Sequence, residues 1–183
     1  MTQKVKTDAG FLLSLSLAIL LIPLKWLLSW LLAAVVHELA HLLAMRCFRC
    51  KAVGMRIGIC GARIDGEPLP DWAAFLCAAA GPSASLCLVF LARWLPHVAI
   101  CGFIHGIFNL LPLYPMDGRH MLDRLLSGMK HADVIIAVVR IAVSTVLILC
   151  GIWLFRMSLG PLPLLAAALV IWNDRKNTLQ KRD

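Results

Sequence analysis

The chain has 183 residues, 61% of them hydrophobic, a mean hydropathy of +0.83 and a formal charge of +8. Soluble domains are about 45–50% apolar, so this composition excludes an ordinary soluble domain and points to a polytopic membrane protein. Seven scattered cysteines, an odd number and most of them in apolar runs, argue against a disulfide framework, and basic residues spread over short loops without interleaved aromatics argue against a nucleic-acid partner.

In chain order, residues 1–9 form a short polar arm. The first apolar run, 10–24, follows Lys4 and Lys6, shows no small-residue cleavage site and is expected to stay as a membrane helix. A second span, 26–45, follows Lys25 directly. The polar stretch from Arg46 to Pro70 alternates apolar with small or polar residues on either side of Cys60-Gly61, which predicts a short β-hairpin. A third span, 71–91, carries Gly81-Pro82, where proline is expected to kink or open the helix. A fourth, 97–113, leads into Pro112-Leu113-Tyr114-Pro115-Met116-Asp117-Gly118, a stretch unable to continue a helix. A short amphipathic helix is expected over 119–126, then spans at 133–155 and 159–172, then a polar tail. The expected fold is an all-α membrane protein of six transmembrane helices with one short hairpin, forming a single domain over 1–183.

The second span contains His37-Glu38-Leu39-Ala40-His41. Residues four apart share a helix face, so His37 and His41 can address one metal ion, and Glu38 stands beside the first, placed to act as general base. Between Trp26 and Met45 these are the sole ionisable side chains. Such groups are expensive at membrane depth and mark a functional site there. The bland alternative is a helix whose histidines and glutamate are satisfied by ordinary hydrogen bonds. Cys47 and Cys50 form a C-x-x-C without a second pair and read as ordinary thiols.

With both termini on one side, that side collects fourteen basic residues and the other three, Lys25, Arg93 and Arg156; Arg140 falls within the fifth span. The positive-inside rule then places both termini in the cytoplasm. The second span exits at Arg46, so at 1.5 Å per residue His41 and His37 lie about 7 and about 14 Å inside, in the cytoplasmic half of the bilayer. A catalytic zinc takes three protein ligands and keeps one open position. Asp117, after irregular backbone at comparable depth, is the best third candidate; His105 and His120 are alternatives, and Asp123 and Asp133 read as interfacial charges.

Together, His37-Glu38-Leu39-Ala40-His41 and Asn109-Leu110-Leu111-Pro112-Leu113-Tyr114-Pro115-Met116-Asp117-Gly118 resemble the two signatures of the site-2 proteases, intramembrane zinc metalloproteases. The six-span plan with a short hairpin is similar to the branch of the stage IV sporulation protein FB. Ala79-Ala80-Gly81-Pro82 resembles the A-G-P motif of the third span, although Ser83-Ala84-Ser85 follows where the family often has an asparagine. The resemblance covers about residues 10–130. It implies one Zn2+ per chain held by His37, His41 and Asp117, Glu38 as catalytic base, and Asn109 as a group for substrate backbone or oxyanion. It also implies a membrane-associated protein substrate, such as a sigma-factor precursor in sporulation, and membrane regulatory partners. The hairpin has two readings, an edge that pairs the substrate by β-augmentation or a surface element that only caps the bundle. Two other functions fit the same residues: an inactive scaffold that grips a partner's helix, and a metal-binding or transport protein. Transport would call for ligands along several spans, and the first, fifth and sixth offer almost none, while Arg140 would repel a cation.

Overall fold

A computed structural model of the chain describes residues 4–7, 16, 18–58, 61–158 and 160–180. The described residues fall into two compact units, Met1–Asn109 and Leu110–Asp183.

The first unit is built on three helices that pack pairwise on one another: α1, Leu24–Cys47; α2, Asp71–Cys87, continued by a 3-10 turn Leu88–Leu91; and α3, Pro96–Asn109. Pro23 precedes α1 with an extended backbone, as suits a residue that cannot donate into a helix. The 24 residues of α1 make it about 36 Å long, enough for a ~30 Å hydrocarbon layer. Its core contact is Ala33, fully buried with Leu88, Val98 and Cys101 and flanked by Trp26, Val36 and Leu91. Helices in lipid gain little from burying apolar surface on one another, so close approach of backbones does more of the work. Gly102 and Gly106 supply it on α3. A methyl group at Gly102 would stand 2.7 Å from the Ser85 carbonyl oxygen, and one at Gly106 would stand 2.9 Å from the Leu86 side chain. Pro82 sits inside α2, fully buried on this tight contact.

A three-stranded sheet completes the unit: β1, Lys4–Thr7; β2, Ala52–Gly58; and β3, Gly61–Gly66. Strands β2 and β3 run antiparallel, with Met55 opposite Ile64 and Gly58 opposite Gly61, where the alternation predicts a hairpin; its turn, 59–60, lies outside the described residues. The expected polar arm is corrected here. Lys4–Thr7 pairs parallel with β2, Val5 opposite Met55, which leaves β2 in the middle and β3 at one edge. Parallel pairing needs a long crossover, and α1 lies within it.

The second unit holds α4, Asp117–Leu125; α5, Ala132–Arg156; and α6, Leu162–Gln180. Helices α5 and α6 pack on one another around Gly151, where an added methyl would meet the Leu164 backbone at 3.1 Å, and Gly160, in the left-handed region at φ +76°, makes the turn between them.

Several expected boundaries move. The first run, 10–24, lies mostly outside the described residues; of it, 16 and 18–21 are helical. The fourth span, expected over 97–113, ends at Asn109, because Pro112 has no N–H to give and disfavours helical geometry at Leu111. Its 14 residues measure about 21 Å, less than a bilayer. The short helix begins at Asp117 rather than 119. The sixth span, expected to stop at 172, continues as helix to Gln180, since its polar end carries side chains that bond within this unit. Among the described residues, three helices are long and apolar enough to cross a membrane: Leu24–Cys47, Asp71–Leu91 and Ala132–Arg156. Their outward side chains, among them Leu43, Val138, Leu149 and Trp153, stay more than half exposed, as a surface in contact with lipid requires. The six described cysteines are free thiols.

Replacing Gly106 by leucine should wedge α3 away from α2 and destabilise the fold by about 1–3 kcal/mol. Thermal unfolding in detergent micelles checks this; an unchanged midpoint would show that the two backbones do not need to touch.

Candidate metal centre

His37 and His41 stand one turn apart on α1 and turn the same way. His37 is 2% exposed and His41 half-buried, and their Nε2 atoms face one another at 3.1 Å. Two imidazole nitrogens bound to a tetrahedral zinc at ~2.0–2.1 Å would stand roughly 3.3 Å apart, so the observed spacing fits one shared ion.

The outer nitrogens are held by α2. His41 Nδ1 donates to the Cys77 carbonyl oxygen at 2.8 Å, and His37 Nδ1 pairs with the Ser85 hydroxyl at 3.0 Å. A carbonyl only accepts, so His41 carries its proton on Nδ1 and turns a lone pair inward from Nε2. A hydroxyl serves in either role. Without a cation, Ser85 can donate to His37 Nδ1 while a proton on His37 Nε2 bridges the pair. With a cation, the same hydroxyl accepts from Nδ1–H and frees both inner lone pairs. Second partners of this kind orient metal-binding histidines. Ser85 is fully buried, eight residues along α2 from Cys77, which is about two turns.

Gly81 lies between those two anchors. A methyl group there would collide with the His41 ring at Nε2 and Cε1 and stand 2.7 Å from His37 Nε2, so the backbone of α2 lies directly against both imidazoles. The absent side chain therefore lets α2 approach both rings closely enough to bond their outer nitrogens. The His105 ring packs edge-on to His37, with centroids 4.7 Å apart, and to Trp30 at 6.2 Å. Glu38 is half-buried on the turn between the histidines. Asn109 closes α3 and donates from Nδ2 to the His105 carbonyl oxygen at 3.0 Å, one turn back.

Asp117 belongs to the second unit, as the first residue of α4. The approach to it is irregular backbone, 110–116, in which Leu113, Tyr114 and Met116 are buried. The Tyr114–Pro115 peptide is cis. Gly118 lets this loop fold back on the helix start: a methyl there would meet the Leu110 carbonyl oxygen at 2.0 Å. The Tyr114 hydroxyl donates to Asp123, and the Arg119 guanidinium covers the Tyr114 ring at 4.7 Å. Arg119 is buried, with Nε 3.0 Å from Asp123 Oδ1, yet neither Nε nor Nη1 has an aligned hydrogen-bond acceptor. The aromatic face and the carboxylate charge meet it instead.

The structure thus brings His37 and His41 together, puts Glu38 on the turn between them, and sets Asn109 one turn from His105. Asp123, expected to be an interfacial charge, binds Tyr114 and Arg119 within its unit. Ser85 and the Cys77 carbonyl were not predicted; Ser85 stood where an asparagine was expected, and only the packing of α2 on α1 shows that a hydroxyl serves there. Asp174 was missed because it sat in a stretch expected to be a polar tail.

No protein-family model and no curated protein matches the sequence. Among solved structures, the fold is similar to that of the Site-2 Protease from Methanocaldococcus jannaschii, with a TM-score of 0.65, 19% identity, and coverage of 94% of this chain and 89% of that one. At that identity the likeness is one of fold.

Gly81→Ala should sharply reduce metal uptake, because the methyl collides with both imidazole rings and displaces them or α2; zinc content per purified chain measures it, and full occupancy would show that the close approach at Gly81 is not needed. Ser85→Ala should weaken zinc binding by about 10–100-fold, read by competition with a chromophoric chelator; unchanged affinity would make the Ser85 contact incidental.

Proposed function

We propose that the chain is an intramembrane zinc metalloendopeptidase of the site-2 type. The observation that carries this reading is the pair of inward-facing histidine nitrogens over Gly81, with their outer nitrogens bonded to α2. Two adjacent lone pairs repel unless a cation or a proton lies between them, and their spacing suits zinc.

Asp117 is proposed as the third ligand. Two histidines and a carboxylate form a common catalytic zinc set with one open position. The reach is available, since Asp117 follows Asn109 by eight residues and a chain of that length spans at most ~28 Å, while the ring of His105, one turn before Asn109, touches His37. Asn109 is proposed to bond the substrate backbone or the oxyanion through its side-chain oxygen, the nitrogen being given to His105.

A zinc ion at this site would polarise the scissile carbonyl and lower the pKa of a water toward ~7. Glu38 takes the proton of the attacking water and later returns it to the leaving amine. His41 and His37 are held by Cys77 and Ser85 throughout, so no reorganisation of the ligands accompanies the chemistry. A peptide bond inside a helix is shielded, and an extended substrate is needed. Among the described residues β3 is an outer strand with no partner on its far side, and such an edge suits that task.

The substrate is proposed to be a membrane-associated protein, and a sporulation sigma-factor precursor suits the family resemblance. Both termini are proposed to lie in the cytoplasm, with the histidine pair in the cytoplasmic half of the bilayer, on the distribution of basic residues.

Co-expression with a candidate membrane-tethered sigma-factor precursor tests the reading. The wild type should process it and Glu38→Gln should not, at matched membrane levels, a loss of at least about 100-fold. Equal processing by both would assign the cut to another protease. Asp117→Ala should lose zinc from the purified chain; unchanged zinc content would strike Asp117 from the ligand set.

A further inference from the structure

The second unit contains a buried polar cluster that the proposed chemistry does not use. Asp174, on the polar end of α6, is 1% exposed. Its Oδ1 accepts the backbone N–H of Tyr114 at 2.9 Å, and its Oδ2 lies 3.6 Å from Arg140 Nε on α5. Arg140 Nη1 donates to Thr178 Oγ1 at 3.0 Å, and the Thr178 hydroxyl donates to the Asp174 carbonyl oxygen at 2.8 Å. The lone charge inside the fifth apolar run therefore has a partner, on a helix the sequence treated as peripheral.

A buried ion pair is weak evidence for stability, because well-packed apolar residues of the same volume serve as well or better. Here one carboxylate oxygen is directed elsewhere, at the loop. Pro112 and Pro115 remove two backbone donors from 110–116, and Tyr114 is buried, so its N–H has to find an acceptor away from water. At the other end of the same residue, the hydroxyl donates to Asp123 on α4. Tyr114 is thus held by its backbone to α6 and by its side chain to the helix that begins three residues later at Asp117.

We infer that Asp174 is a positioning residue: its carboxylate, charge-matched by Arg140, fixes the Pro-rich loop through the Tyr114 amide and so sets the direction in which Asp117 is presented. This rests on the proposed ligand role of Asp117. It makes the last two helices part of the metal apparatus rather than added spans. Orientation within a few tenths of an ångström decides whether a carboxylate can ligate, so an anchor three residues away has leverage.

Two double variants separate the hydrogen bond from the charge. Asp174→Asn with Arg140→Met removes both charges and keeps a side-chain oxygen for the Tyr114 N–H. Asp174→Leu with Arg140→Met removes the acceptor and leaves an apolar contact. Each is purified in detergent and loaded with Co2+, whose visible absorption reports ligand geometry. The Asn variant should retain the wild-type spectrum and affinity. The Leu variant should show an altered spectrum and about 10–100-fold weaker Co2+ binding, with kcat reduced more than KM. Hydrogen exchange at the Tyr114 amide should be slow in the wild type and the Asn variant and at least about 100-fold faster in the Leu variant. A wild-type spectrum in the Leu variant overturns the inference. So does fast exchange at Tyr114 in the wild type, a reading that needs no variant to fold. A wild type that takes up no Co2+ overturns the metal reading, and the inference with it, so the two failures are told apart by which protein shows them.

Discussion

Two imidazole nitrogens 3.1 Å apart, both lying against a glycine of the neighbouring helix, set the demands on the rest of the first unit. Lone pairs at that distance are stable only around a cation or a shared proton, and only if each ring is prevented from turning away. Helix α1 supplies the spacing, since residues four apart share a face. Helix α2 supplies the constraint through an acceptor at Cys77, a hydroxyl at Ser85 and the missing side chain at Gly81 between them. Helix α3 packs tightly on α2 at Gly102 and Gly106. If α2 drifted from its neighbours, both outer hydrogen bonds would lengthen together.

Polar groups inside apolar helices are expensive, and among the described residues two clusters show how such groups are bonded within the protein. In the first unit, the His37 and His41 rings bond to α2 and to one another. In the second, Arg140, Asp174 and Thr178 close a network between α5 and α6 and reach out to the backbone of Tyr114. The outward surfaces of the apolar helices stay apolar and exposed, which suits lipid. The chemistry proposed for the chain follows from this division, because a base, a metal-binding pair and a water-activating ion can act at membrane depth only where protein, rather than lipid, surrounds them.

The irregular backbone from 110 to 116 has an unusual economy. Two prolines prevent it from becoming helix or strand, which would leave buried carbonyls and amides without regular partners. The Tyr114 amide is answered by Asp174, the Tyr114 hydroxyl by Asp123, and Gly118 allows the loop to lie on the first turn of α4. A flexible loop could carry an aspartate, but it would hold it in many directions. The cluster in helices α5 and α6 restricts those directions, which gives these helices a physical role beyond crossing the bilayer.

The sequence alone determined what depends on spacing and composition. His37 and His41 had to share a face because a helix repeats every 3.6 residues, the apolar runs 26–45, 71–91 and 133–155 had to be long helices, and Pro112 and Pro115 had to break the chain before Asp117. Alternation around Cys60-Gly61 located the two strands beside it. The tertiary structure decided what depends on which surfaces meet. Only packing shows that Ser85 and the Cys77 carbonyl steer the two rings, that Gly81 lets α2 lie close against them, and that Lys4–Thr7 adds a parallel strand. The same holds for Arg140, an isolated charge in one dimension, whose partner Asp174 lies 34 residues away on a segment that composition marked as a solvated tail. Helical periodicity is local, so a sequence displays it directly, whereas a hydrogen bond between helices depends on their relative rotation and depth, which no single segment encodes.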